Sequence, residues 1–147
     1  MTQYSSIYDT VQSTIHDILT NDTTLTALTT NILDGEPKNL MKGIGFPYVI
    51  INTPSISDEN RLSLSNTTFG CNVIVPISVY DKVEKNVRRV SDAVRRALKS
   101  NQNTTRTQHL RWYKMERSNL GSMFLLGESS EKVWVNNMFF QYYWSGN

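Results

Sequence analysis

The sequence predicts an α+β fold: a four- to five-stranded sheet, mixed or antiparallel, with an N-terminal helix and a crossover helix packed on it. Three observations predict it. Val83, Val87, Val90, Val94, Ala97 and Leu98 recur at helical spacing and give residues 82–100 one apolar face. Phe69, Cys71, Val73, Val75, Ile77 and Val79 alternate in strict period two, the signature of a strand with one face buried. The continuous apolar run at 46–53 reads as a strand covered on both faces.

The elements follow in order. The first helix begins at Ser5 or Ser6 and runs to about residue 20, with Ile7, Val11, Ile15, Ile18 and Leu19 on one face. Ser6 followed by Asp9 is a plausible N-terminal cap. Asn21-Asp22 breaks the helix, and Asp22 caps a short second turn carrying Leu25 and Leu28. Residues 33–45 contain Gly35, Pro37, Gly43 and Gly45 and read as loop. Strand 46–53 is closed by Pro54. The polar segment 55–66, with Asp58, Glu59 and Arg61, reads as a hairpin loop or a protruding β-arm.

Strand 68–80 contains Pro76, which removes a ladder donor and so predicts an edge position or a bulge. Asp81 and Glu84 form a capping-box pattern at the start of the crossover helix. Burying its six apolar side chains is worth on the order of 10 kcal/mol gross, at roughly 1.5 kcal/mol or more each. Residues 101–105 read as a polar linker, and 109–117 as a strand of poor alternation. There Leu110 and Trp112 share a parity that Tyr113 and Met115 do not. Residues 120–127 are turn-rich, a loop tip or short strand, and 132–144 is a final, highly aromatic strand.

The 147 residues fit one domain, 1–147, with length for a single core. Net charge is only +2, but residues 1–59 hold seven acids and two bases, whereas 82–118 hold eleven bases and three acids. Such asymmetry favours a polyanionic partner, self-association of opposite faces, or pairing within the subunit. A single cysteine, Cys71, rules out an intramolecular disulfide and a cysteine-rich zinc site, and its apolar surroundings predict a buried thiol. No signal peptide or membrane-spanning run is visible, so folding in a cytoplasm and no membrane partner are expected. The Asn-Xaa-Thr triplets at Asn21, Asn66 and Asn103 are ordinary for a chain rich in Asn and Thr.

Little in the chain speaks for catalysis. His16 and His109 have no second ligand at metal spacing, and His16 beside Asp17 reads as a partly exposed surface residue. Cys71 lacks an activating neighbour, and no nucleophile elbow, phosphate loop or dinucleotide fingerprint occurs. Glu36-Pro37-Lys38 mimics a nuclease motif, but Gly35 and Pro37 place it in a turn. No enzyme activity, cofactor or metal site is therefore expected. The concentrated feature is the basic face of the crossover helix, with Arg88, Arg89, Arg95, Arg96 and Lys99. It predicts contact with a neighbouring subunit or with DNA phosphates, the other reading being a solvated face of the kind common on sheet-packing helices. In the last strand Met138, Phe140, Tyr142 and Trp144 share a face, an aromatic surface of the kind found in interface cores.

Taken together, the chain resembles the tail terminator (tail completion) proteins of long-tailed phages and related archaeal viruses. The resemblance is carried by element order and hydrophobic spacing. Its components are the amphipathic first helix with its polar break, Asp22 with Leu25 and Leu28, and Pro47-Tyr48-Val49-Ile50-Ile51 as first strand. The long strand ending at Tyr80, the Val-rich crossover helix ending at Leu98, and the aromatic strand from Phe139 to Trp144 complete it. The resemblance implies a non-enzymatic structural protein of the virion that assembles in the host cytoplasm as a homo-oligomeric ring, usually a hexamer. Such a ring caps the head-proximal end of the tail tube, stops tube polymerisation and serves head-tail joining. Its implied partners are other copies of itself, the major tail tube protein and a head-connector or neck protein, with a non-specific contact to DNA in the channel left open. The segment carrying Asp58, Glu59 and Arg61 becomes a candidate arm toward the tube or a neighbour, and Phe140, Tyr142 and Trp144 candidate interface aromatics. The alternatives are another neck or head-completion protein, or a small nucleic-acid-binding regulator using helix 82–100.

Overall fold

The computed structural model describes residues 6–35, 45–59, 69–107, 109–124 and 132–146. The fold is α+β, a six-stranded mixed sheet with its helices on one face. Helix α1 spans Ile7–Asn21 and α2 Thr23–Leu28. Both caps expected at this end are formed. Ser6 Oγ accepts from Asp9 N at 3.1 Å, and Asp22 Oδ1 accepts from Leu25 N at 2.8 Å. Each satisfies a donor that a helix start leaves orphaned.

Strand β1 (Asn31–Asp34) runs parallel to β2 (Tyr48–Ile51), so part of the stretch expected to be loop enters the sheet. All four residues of β2 are buried, as its unbroken apolar run predicts. Strand β3 (Ser55–Glu59) then continues along the same side of the long strand β4 (Phe69–Asp81), whose residues 70–74 pair with β3 and 77–80 with β2. The polar 55–66 segment is thus partly strand, paired antiparallel with β4, and residues 60–68 lie outside the described residues.

β4 is central, with β6 (Lys132–Gly146) antiparallel to it along its whole length. Pro76 therefore does not lie at an edge. Ile51 pairs with Ile77 and Ser55 with Ile74, so three residues, 52–54, face the two residues 75 and 76. Asn52 N donates to Pro76 O, which places the main-chain polar groups of Pro76 on this side. The missing N–H thus faces the irregular junction of β2 and β3, where a bulge tolerates it.

Helix α3 covers Glu84–Ser100, followed by a short α4 (Gln102–Thr107) where a polar linker was expected. The expected capping box does not form. Asp81 is the buried last residue of β4, its Oδ1 accepts from the adjacent Lys82 N, and Val83 is the N-cap without a side-chain bond. Val83 is 51% exposed and drops out of the apolar face, which instead comprises Val87, Val90, Ala93, Val94, Ala97 and Leu98 with Ser91 among them. The last two strands form a long hairpin, β5 (Leu110–Phe124) antiparallel to β6, so 120–124 is strand and not loop. Since β6 is antiparallel to both β4 and β5, those two run parallel, and α3 is the crossover between them.

One face of the sheet holds the core. Val73, Val75, Ile77 and Val79 of β4 stand beside Tyr142, Phe140 and Met138 of β6, under Val11, Ile15 and Leu19 of α1 and the apolar face of α3. Among the described residues no helix packs on the opposite face, which presents Asn72, Ile74, Pro76, Phe139, Gln141 and Tyr143.

Candidate functional site

The outward face of α3 is the surface the sequence singled out, and its cations are exposed. Arg88, Arg89, Arg95, Arg96 and Lys99 all point away from the sheet, together with Lys85. They do so because the apolar stripe takes the sheet-facing third of the helix. Two of the arginines are partly neutralised within the helix. Arg96 Nε lies 3.1 Å from Asp92 Oδ2, and Arg88 Nε 4.0 Å from Glu84 Oε1, both at i,i+4 spacing. Arg89, Arg95, Lys85 and Lys99 have no acidic partner among the described residues. The exposed pairs each contribute little to stability, on the order of 0.3–0.5 kcal/mol. The face therefore keeps most of its positive charge exposed. Arg89 also borders a small depression of about 120 Å³ with Leu28, Pro47, Asn86 and Val90.

The acids sit elsewhere. Asp9 and Asp17 are exposed on α1, and no lysine or arginine accompanies them on that helix. His16 Nδ1 lies 3.2 Å from Asp34 Oδ1 on β1, and His16 is partly exposed, as its sequence position predicts. A polar groove between α1 and the end of α3, of about 590 Å³, is lined by Ser13, Asp17, Asn21, Asp22 and Asn101 among others. Exposed acids thus gather on α1 and exposed cations on α3, the two helices that meet at this groove.

The expected interface aromatics prove to be core. Phe140 and Tyr142 are fully buried under the helices, and Trp144 is half-buried and packed against the same cluster. The physical reason is that both faces of β6 are apolar, so the strand pattern does not reveal which face turns inward. The half-exposed set is the other one, Val135, Phe139 and Tyr143. Asp58 and Glu59 lie on β3 opposite Cys71 and Gly70 of β4, and Arg61 lies outside the described residues, as does Glu36-Pro37-Lys38. Cys71 is buried and unbridged, as expected.

A second basic surface was not anticipated. Arg111, Lys114 and Arg117 on β5 are all exposed and stand opposite Tyr143, Gln141 and Phe139 of β6, on the face without helices. An odd spacing of three would normally send successive side chains to opposite faces. Two register shifts, between Trp112 and Lys114 and between Met115 and Arg117, leave Tyr113 and Glu116 as extra residues. The bulges bring the three cations to one face and Trp112, Met115 and Ser118 to the other. The signal in the sequence is this pair of interleaved period-three patterns, which a test for strict alternation cannot register. The guanidinium of Arg117 lies 4.3 Å over the Phe139 ring, and Lys114 Nζ 5.3 Å from the Tyr113 ring centre.

Among the described residues no cluster of three or more His, Cys, Asp or Glu could hold a metal ion, and no helix is long and apolar enough to cross a membrane. No protein-family model and no curated protein matches the chain. Among solved structures, it is similar to a chain from the virion of a native gene transfer agent particle. The likeness covers 97% of this chain and 100% of that one at 15% identity, with a TM-score of 0.60. At that identity it shows a shared fold.

Proposed function

We propose that this protein is a structural component of a virion, a tail terminator whose copies close into a ring on the head-proximal end of the tail tube. The observation that carries the reading is the shared fold: the likeness to a virion chain runs over nearly the whole of both chains, with no large part of either left over. The charge layout supports it. A subunit with exposed acids on α1 and exposed cations on α3 is suited to head-to-tail association, which closes into a ring when the rotation allows. The outer face of α3 meets the neighbouring subunit in this reading, and the β3–β4 arm with Asp58, Glu59 and Arg61 reaches the tube or a neighbour. The ring stops further tube growth and offers its other side to the neck. No chemical step is required of it.

Absolute mass by light scattering on a sizing column, at low and moderate salt, tests the ring. The expected result is a species of about six subunits, or monomers of 16.9 kDa that convert to it as concentration rises. Replacing Arg88, Arg89, Arg95 and Arg96 by Glu should abolish that species while leaving the subunit folded by circular dichroism. A ring formed normally by that variant overturns the role of α3. A chain that stays monomeric at every concentration, and neither binds nor caps purified tail tubes, overturns the terminator. If the ring binds connectors but not tubes, it is another neck or head-completion protein. A second reading rests on the same exposed cations, a small nucleic-acid-binding regulator. No ring, together with DNA affinity that falls steeply with salt through α3, would favour it.

A further inference from the structure

We infer that the helix-free face of the sheet carries a nucleic-acid backbone site, the stripe Arg111, Lys114 and Arg117, and that duplex DNA is its partner. The three side chains are exposed, and none has an ion-pair partner among the described residues. Glu116, extruded at the second bulge, is the acid beside them. Their partners on β6 are Tyr143, Gln141 and Phe139, so successive cations stand two strand residues apart, about 7 Å. That step is of the order of the separation between successive phosphates along one nucleic-acid strand. The stripe sits on a fifteen-residue strand paired along nearly its whole length, so the cations are held in line before binding.

The chemistry of the surroundings decides between backbone contact and base stacking. Base stacking needs aromatic faces open to a ligand. Phe139 is capped by Arg117, and Phe139 and Tyr143 are only half-exposed. Tyr113, 63% exposed at the first bulge, has Lys114 Nζ 5.3 Å from its ring. One isolated open ring is not the run of aromatic faces on which successive bases stack. Of the amides on this face, Gln141 is half-buried and Asn119 is exposed only beyond the Arg117 end, so the three cations dominate the stripe. Their chemistry is sequence-independent contact with phosphates, which positions a protein on DNA without selecting a sequence. The other use of such a stripe is to guard a sheet edge against strand addition, since cations and bulges both discourage it. The test separates the two. The inference stands apart from the ring reading and fails separately from it, since its readout is a salt slope and not a mass.

The experiment is fluorescence anisotropy of the full chain against a labelled duplex of random sequence and a poly(dT) strand, across about 50 to about 200 mM salt. The triple variant Arg111→Gln, Lys114→Gln, Arg117→Gln is compared with Arg89→Gln, Arg95→Gln, Lys99→Gln on α3. Three lost phosphate contacts should flatten the plot of log affinity against log salt by about 2.7, so the salt-induced loss over that range shrinks about 40-fold. The α3 variant should keep the wild-type slope. The inference is overturned if the wild type does not bind duplex DNA at the lowest salt, or if the α3 variant alone loses the slope. It is equally overturned if poly(dT) is strongly preferred, which indicates stacking, or if the β5 variant keeps its slope and instead aggregates, the behaviour of an edge guard.

Discussion

Asn136 ties three elements together, and removing it should cost more than its position in an aromatic strand implies. It lies on the core face of β6 and is buried, opposite Val79 of β4 and Leu120 of β5. Its Nδ2 donates to Ser91 Oγ in the middle of α3 at 2.9 Å, and its Oδ1 accepts from Ser118 Oγ on β5 at 2.8 Å. Ser91 is itself buried, whereas Ser118 is exposed and can turn to water. In Asn136→Ala the loss therefore falls on the Ser91 side: one buried hydroxyl stripped of its donor, together with a small void. A buried polar group left unpaired costs about 1–3 kcal/mol, so we expect about 2 kcal/mol in total. For a chain of this length that corresponds to roughly 7 °C in melting temperature, at about 3–4 °C per kcal/mol.

The assay is urea unfolding at a concentration where the chain is monomeric, because any ring would add its own concentration-dependent stabilisation. The double-mutant cycle with Ser91→Ala is the decisive part. Groups in direct hydrogen-bond contact should show a coupling of about 1 kcal/mol, with the double variant costing less than the sum of the singles. The pair Ser91→Ala, Asn136→Leu should recover most of the loss, since no buried polar atom is then orphaned. Additive single costs, or an Asn136→Ala cost below about 0.5 kcal/mol, would refute the idea that this bond fastens α3 to the sheet.

Three further outcomes are expected. Pro76→Ala should cost only about 0.4–1 kcal/mol in urea unfolding, the unfolded-state effect of losing a proline, because no sheet partner waits for the restored N–H. Deleting Tyr113 and Glu116 together should leave the subunit folded by circular dichroism, since the remaining residues of β5 then alternate without changing face. The flatter edge should aggregate at lower protein concentration, read by light scattering. Tyr142 is buried with its hydroxyl unpartnered, and burial pushes its phenol above the ordinary tyrosine range. The folded state then keeps a proton that the unfolded chain loses near pH 10, so stability is present below about pH 10 and falls as pH rises past it. Tyr142→Phe should match or exceed the wild type at pH 7 and resist that alkaline loss in pH-dependent thermal melts.

Where one physical rule governed an element, the sequence sufficed to read it. The caps at Ser6 and Asp22 form because a short acceptor beside an apolar run meets an orphan N–H whatever the tertiary context. The alternation of β4 turned the right residues inward because one face of that strand is consistently apolar. Misreadings arose where two rules competed. Asp81 and Glu84 match a capping box, but β4 runs one residue further and buries Asp81 before the helix can begin. β1 offers only Ile32 and Leu33 as apolar residues, too few to reveal a short strand held by its pairing with β2. The α3 cations were legible as exposed because their helix has a single apolar stripe. Phe140 and Tyr142 were not legible as core, since Val135, Phe139 and Tyr143 give the opposite face large apolar residues too, despite Asn137 and Gln141.

The sheet edges constrain how copies of this chain associate. With β4 central, its long alternating ladder is already paired on both sides and is not available to a neighbour. One edge is β5, broken by two bulges and bearing Lys114 beside exposed Tyr113 and Glu116. The other side is built from β1, of four residues, and β3, of five, separated by the irregular junction at 52–54. Short, bulged and charged edges are poor templates for strand addition. Continuing the sheet from subunit to subunit is thus the least favoured mode of assembly for this fold. Contacts through the helical layer remain, where unpaired cations on α3 and exposed acids on α1 are carried by different helices of one subunit. Association through that layer should weaken as salt rises, whereas a ring built by edge pairing should not. The sedimentation of any ring at increasing salt therefore tells the two architectures apart: salt-independent rings would mean that an edge, bulges notwithstanding, is the seam.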